Sequence, residues 1–330
     1  MYRKPRFISP SALGTWMYKD TDYYLKYLSE HRPPRIPQSE AMAVGSAFDA
    51  YIKAYIHAKL YGKGHVDAAK FDFDTLFERQ VEEHNRDFAM NAGAHCFRVY
   101  KSTGALADLL KLLDVSPVPP QMEFTAVGRE EEHGISNTIV ADDASIHEHS
   151  GLVLLGKPDL IYATLNERKV VHDWKVNGYM STASPAPGYV HMYGKGPHKD
   201  HEPWFESNLE INLNPSIQIS KPDWGRQIAT YGWICGAAVG EEIIASVDQL
   251  VCGGGAIRVA QHRCGITKEF QFDTYYKYME LWDRIQSGHF FRELPLEASN
   301  ARCEMLNRQG LAYGGDTVED AWFQRITRKY

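Results

Sequence analysis

The sequence predicts a mixed α/β protein: a central β-sheet flanked by helices, with a helical N-terminal part. Three observations predict it. Apolar residues recur at helical spacing through the first 115 residues, short strand-like runs fill 116–175, and strands and helices then mix up to about residue 290. The expected layout is one domain over 1–330, with a helical region 1–115 and a core 116–290. An inserted loop-rich segment occupies 176–226, and a polar tail follows over 291–330.

Ser9 or Ser11 caps a first helix over 12–28, whose apolar side holds Leu13, Trp16, Met17, Tyr24 and Leu28. Three prolines in 31–37 break it. A second helix over 39–60 lines up Val44, Phe48, Ile52 and Tyr55, and puts Gly45 and Asp49 on one face, four apart. The missing side chain of Gly45 would let a strand or a substrate come close there. Gly62 and Gly64 end this helix, and two more follow near 73–89 and 104–113. Strands are expected at 122–127, 152–162 and 169–175, with Glu123 in an apolar neighbourhood. A helix capped by Asp223 runs to Ala238, strands follow at 246–252 and 257–262, and a last helix covers 273–286.

Composition narrows the class. Hydrophobic content of 44% and charged content of 24% are those of a soluble globule that buries a core. No run reaches membrane-spanning length and the first residues lack a signal peptide's apolar stretch, so a cytoplasmic protein is expected. The five cysteines form no Cys-x-x-Cys pair, which argues against a zinc knuckle or a disulfide framework. Net charge is −6, but residues 121–150 alone hold seven acidic residues and one arginine, leaving 35 of each sign elsewhere. The balance therefore does not exclude a nucleic-acid partner, which needs only a local basic groove.

The chemistry concentrates at 156–175. Gly156-Lys157-Pro158-Asp159 and Asp173-Trp174-Lys175 read as the two arms of a β-hairpin, reversed at 164–168 around Asn166. Asp173 and Lys175 are two apart and leave one face of their strand. Two carboxylates meeting at the end of a sheet repel unless a cation separates them, and hard oxygen ligands favour Mg²⁺ or Mn²⁺. A lysine beside such an ion can orient a water or neutralise an oxyanion, which suits phosphodiester hydrolysis. The plain alternative is an amphipathic hairpin with a surface salt bridge. Further on, Gln227 and Tyr231 share a helix face, and Arg226 lies at that helix's positive end, a place suited to phosphate. Residues 176–226 hold six aromatics and three histidines; Lys195 and Lys199 there could track a phosphate backbone, or the segment is a structural lobe. The pairs His147/His149 and His198/His201 lack a further ligand set for zinc.

In order, Gly-x-x-x-Asp (45–49), Gly-x-x-Asp (156–159), Asp-x-Lys (173–175) and Gln-x-x-x-Tyr (227–231) resemble the PD-(D/E)XK nuclease superfamily, closest to its RecB-like and phage-exonuclease branch. The resemblance spans about residues 9–290 and implies a restriction-endonuclease-like core, a divalent ion and cleavage of DNA. Carried over, it makes Asp159 and Asp173 metal-binding carboxylates, completed by the Trp174 carbonyl, and Lys175 the catalytic lysine. Gln227 and Tyr231 become the pair that positions DNA or the lysine. Asp49 stands where the branch usually has histidine, and is expected as a further metal ligand, with a salt bridge to a nearby cation as the rival reading. The four cysteines of the branch's iron–sulfur members are not matched, since Cys303 alone lies near the end, so no cluster is expected. No phosphate-binding Gly-x-x-x-x-Gly-Lys-Ser/Thr loop exists, so a helicase, or a strand-annealing partner, would be a separate chain. The resulting expectation is a Mg²⁺- or Mn²⁺-dependent deoxyribonuclease, preferably an exonuclease acting at DNA ends in recombination, repair or phage DNA metabolism. A structure- or site-specific endonuclease, or a silent DNA-binding or assembly protein on the same core, are the alternatives.

Overall fold

The computed structural model describes residues 4–29, 37–131, 134–140, 151–177, 188–192, 216–253 and 256–288, and the structural statements below concern these. Lys195, Lys199, the four histidines at 147, 149, 198 and 201, Cys303 and the tail lie outside them, as does most of 176–226.

Helices lead. The N-terminal part holds α1 (Pro10–Tyr18), α2 (Asp20–Tyr23), α3 (Glu40–Leu60), α4 (Phe73–Gln80), α5 (Arg86–Ser102) and α6 (Ala105–Asp114). The Ser39 hydroxyl accepts from the Met42 amide at 3.3 Å and starts α3, whose Val44, Ala47, Phe48, Ile52 and Ile56 are buried. Strands follow as β1 (Gln121–Met122), β2 (Thr125–Glu131), β3 (Gly134–Val140), β4 (Val153–Gly156), β5 (Leu160–Ala163), β6 (Lys169–Asn177) and β7 (Gly188–Met192). The remainder is α7 (Ser216–Ser220), α8 (Pro222–Ile234), β8 (Ile243–Gly253), β9 (Ala256–Ile266) and α9 (Lys268–Ser287).

Six strands form the central sheet in the order β1-β5-β6-β8-β9-β7, and β3-β2-β4 form a second, smaller one. The sheet is mixed, because β6 and β8 run parallel while β5–β6 and β8–β9 are antiparallel. A parallel pair needs a crossover, and α8 lies within the connection between β6 and β8. Both faces are covered. Val170, Trp174, Ile244 and Val259 pack with α3, α5 and α6, whereas Val171, Ala245, Val247 and Cys264 pack with α1, α8 and α9. This sets β6 in the middle of the molecule, with alternate residues serving two different layers.

The fold class is as the sequence predicts; several boundaries differ. The first helix is interrupted: α1 stops at Tyr18, Lys19 is extended, and the chain resumes as α2 and one π-helical turn, Tyr24–Leu28. The helix expected over 73–89 ends at Gln80, and the 17-residue α5, which begins at Arg86, runs through a stretch not expected to be helical. The strands expected at 122–127 and 152–162 are each divided between the two sheets: β1 and β5 in the large one, β2 and β4 in the small one. The changeovers fall at Glu123, whose φ of 50° is unusual for a side-chain-bearing residue, and at the Pro158-containing turn. Asp223 is not the cap of α8: Lys221 holds that position, and Asp223 pairs with Arg226 at 2.7 Å one turn on. A Cβ at Gly45 would meet nothing within 4 Å, so no strand packs over that glycine.

Candidate active site

The β5–β6 hairpin turns through Thr164, whose amide donates to the Arg168 carbonyl at 2.9 Å. Leu160 then lies opposite His172, which sets Asp159, just before β5, near Asp173 and Trp174. The Trp174 amide donates to Asp159 Oδ2 at 3.4 Å. On the neighbouring β6 position, Lys175 Nζ lies 2.6 Å from Asp173 Oδ2 and donates to Gln227 Oε1 at 3.0 Å. Gln227 in turn donates to the Tyr231 hydroxyl at 3.0 Å and reaches Asp173 Oδ1 at 3.5 Å. The last two motifs thus meet through a lysine–amide–phenol chain, with β6 supplying one half and α8 the other.

The α3 layer closes the other side. Asp49 Oδ2 accepts from Gln80 at 3.0 Å and lies 2.7 Å from Lys53 Nζ, one turn along the helix. That ammonium also sits 2.5 Å from Glu123 Oε2 and 2.9 Å from Asp159 Oδ1. Glu123 is further held by Arg79 at 3.0 Å and Lys157 at 3.2 Å. The oxygens of Asp49, Glu123 and Asp159 lie within 4.8 Å of one another and so can serve a single ion.

Charge is unevenly compensated here. Burial drives the Asp49 carboxyl up to about 7, with Asp159 and Glu123 adding to the rise and Lys53 only partly opposing it. Burial likewise lifts Asp173 to about 6 against the pull of Lys175. Glu123 goes the other way: burial is outweighed by Lys53 and Lys157, and its carboxyl falls to about 2. Asp159 is lowered too, since Lys53 and Lys175 together outweigh its burial. At two of the four carboxylates burial therefore outweighs the neighbouring cations, and the donors are all hard oxygens, which fits a divalent ion.

A cleft of about 720 Å³ opens beside this group. Lys175, Gln227 and Tyr231 form its floor, Lys157, Arg226 and Trp224 its wall, and Ser9 and Ser11 at the start of α1 its rim. Gly156 is required by this packing, because a Cβ there would come within 2.7 Å of the Tyr231 ring.

Among the expected site residues, Asp159, Asp173, Lys175, Gln227 and Tyr231 come together, and Trp174 adjoins Asp159 through its peptide. Asp49 joins them from α3, engaged in the salt bridge that was its rival reading, while Arg226 lines the cleft. Sequence reasoning passed over Lys53 and the role of Glu123. The sequence signal for Lys53 is its spacing alone, a cation four residues after Asp49, which solvated surface pairs share.

No protein-family model matches the chain, and no curated protein matches it. Among solved structures, the crystal structure of a putative exonuclease from Eubacterium rectale matches with a TM-score of 0.43 and 12% identity, covering 87% of this chain and 83% of that chain. Fold and site together define a mixed α/β protein with a carboxylate–lysine cluster at the end of its central sheet.

Proposed function

We propose that this protein is a metal-dependent deoxyribonuclease, an exonuclease acting at DNA ends. The observation that carries the reading is the convergence of Asp159, Asp173 and Lys175 with Gln227 beside an open cleft whose wall bears Lys157 and Arg226. Asp49, Asp159, Asp173 and the Trp174 carbonyl are proposed to hold Mg²⁺ or Mn²⁺, which supplies Lewis-acid polarisation of a phosphate oxygen and a more acidic water. Lys175 is held by Asp173 and Gln227 so that its ammonium faces the cleft, where it neutralises charge developing on the phosphate. Gln227 and Tyr231 orient that lysine, and Tyr231, which accepts from the Gln227 amide, stays a neutral phenol because burial pushes its hydroxyl pKa up. Arg226, paired only at its edge with exposed Asp223, takes a backbone phosphate of the DNA. In this reading the whole chain forms one nuclease domain, with Lys195 and Lys199 as further phosphate contacts and any helicase or annealing protein a separate chain. An endonuclease on the same core uses the same groups and differs only in what the cleft admits.

The test is digestion of linear and closed circular DNA with Mg²⁺, Mn²⁺ or EDTA. Linear-only, EDTA-sensitive digestion is the expected result; nicking of circles turns the reading to the endonuclease, and no cleavage of either sinks it. Asp173→Ala is expected to abolish turnover, and Lys175→Ala to lower it by about 10²-fold or more, the scale of one lost transition-state stabiliser. Arg226→Ala should weaken DNA binding and reduce the slope of log K against log salt by about one.

A further inference from the structure

Lys53 is the least expected group in the site. It is a lysine only 1% exposed. A buried lysine is retained only when anionic partners replace its water shell. Three do so, from three separate elements: Asp49 on α3 at 2.7 Å, Glu123 between β1 and β2 at 2.5 Å, and Asp159 before β5 at 2.9 Å. Its ammonium is therefore the one group that ties the helical layer to both strand junctions at this point. The same three carboxylates are those whose oxygens can share an ion.

We propose that Lys53 is the resident counter-ion of this site: its ammonium assembles Asp49, Glu123 and Asp159 in advance, and a divalent ion enters by displacing it from Asp49 and Asp159. The inference rests on the metal-dependent reading above. An ammonium and a divalent ion cannot share one cage of oxygens, because their repulsion at such separations in a poorly hydrated interior exceeds what either gains. Glu123 is the natural partner for the displaced ammonium. It makes the shortest of the three contacts, and its further pairing with Arg79 and Lys157 holds it in place. The flexible four-carbon stem of lysine allows a swing toward Glu123 while that ion pair stays intact. Asp49 keeps its orientation through Gln80, so the exchange leaves an ordered carboxylate facing the ion. Lys53 is thus a positioning residue: it touches neither DNA nor the reacting phosphate.

Mn²⁺ binding followed by electron paramagnetic resonance, with thermal melting in EDTA and in Mn²⁺, tests the exchange. Lys53→Met removes the charge at similar length. It is expected to bind Mn²⁺ about tenfold or more tightly than the wild type, to melt lower in EDTA, and to regain wild-type melting when Mn²⁺ is added. Lys53→Arg, which keeps the charge, is expected to melt like the wild type in EDTA and to show no gain in Mn²⁺ affinity. Equal or weaker Mn²⁺ binding by Lys53→Met overturns the proposal while leaving the metal-dependent reading intact. No Mn²⁺ binding by the wild type overturns that reading, and this one with it. If Lys53→Met does not fold, a crystal structure of the wild type with Mn²⁺ decides. Lys53 Nζ beyond 4 Å from Asp159 Oδ1 supports the exchange, and retention of the 2.9 Å contact beside a bound ion refutes it.

Discussion

Strand β6 serves two polar clusters with alternate residues, and they follow opposite rules. Asp173 and Lys175 belong to the cleft cluster, whereas His172 and Trp174 point into a closed one on the α5 side. In the closed cluster Asp248 is fully buried, accepts from Arg263 at 2.6 Å and from the Tyr100 hydroxyl at 2.5 Å, and lies 3.8 Å from His172. Burial is outweighed there by Arg263 and His172, so the Asp248 carboxyl sits below its usual range. In the cleft cluster burial wins at Asp49 and Asp173. In one network the ion pair outweighs burial; in the other, which opens to a cleft, burial outweighs ion pairing at Asp49 and Asp173. Buried carboxylates left uncompensated in this way cost stability, so their retention points to use, whereas a compensated network specifies packing.

Stability separates the two most strongly. Asp248→Ala strips Arg263 of its counter-ion and Tyr100 of its acceptor in the interior, and is expected to lose about 3–5 kcal/mol in urea unfolding. Asp173→Asn removes a repelled charge instead, so its metal-free stability should match or exceed that of the wild type while activity is lost. Similar losses for both variants would erase the distinction.

Gly156 offers a smaller perturbation aimed at the cleft alone. A Cβ there would lie 2.5 Å from Ile234 Cδ1 and 2.7 Å from Tyr231 Cε1. Gly156→Ala should therefore cost about 1–3 kcal/mol as overpacking. It also pushes Tyr231 off Gln227, so activity should fall further than the stability loss accounts for. Unchanged kinetics would mean that the Tyr231–Gln227 contact does not position Lys175.

How much of this was legible beforehand follows from where the information sits. Asp173 and Lys175 could be read because two-residue spacing on a strand fixes a shared face, and Gln227 and Tyr231 because four-residue spacing on a helix does the same. Asp49 could be placed beside them only through the order of motifs. The exchange of strands between sheets at Glu123 and near Pro158 was not visible, since each run reads as a single strand and only tertiary pairing divides it. Lys53 was hidden for a similar reason: an Asp-x-x-x-Lys pair on a helix is most often a solvated surface pair, and burial is a property of what packs against it. The closed cluster was wholly illegible, because His172, Asp248, Arg263 and Tyr100 are joined across 15 to 148 residues of sequence only by the sheet register and the α5 packing.

The smallest expected effect is on pH dependence in EDTA, where the clusters oppose each other. Asp173 and Asp49 are raised by burial to about 6 and about 7, so the native state holds their protons where the unfolded chain has released them. Their contribution is full below the unfolded value near 3.8 and is lost as pH climbs through 6 to 7. His172 of the closed cluster runs the other way, since burial lowers it to about 4, and so does His262, which bonds Gln249 at 2.9 Å outside that cluster. Their contribution is full above the unfolded value of 6.5 and is lost as pH falls through 4. Between about pH 4 and 6.5 one pair makes stability fall with rising pH and the other makes it rise, and the wild-type curve should be nearly flat. Each group taken alone accounts for at most about 3 to 4 kcal/mol over its range. Asp173→Asn deletes a falling contribution and should tilt the curve upward with pH; His172→Gln deletes a rising one and should tilt it downward. Urea midpoints measured across this window check both signs, and a tilt of the same sign in the two variants would show that the clusters do not oppose each other. Mn²⁺ should selectively abolish the carboxylate contribution, because an ion holding Asp49 and Asp173 ionised leaves the histidine limb alone and makes the loaded protein lose stability toward acid.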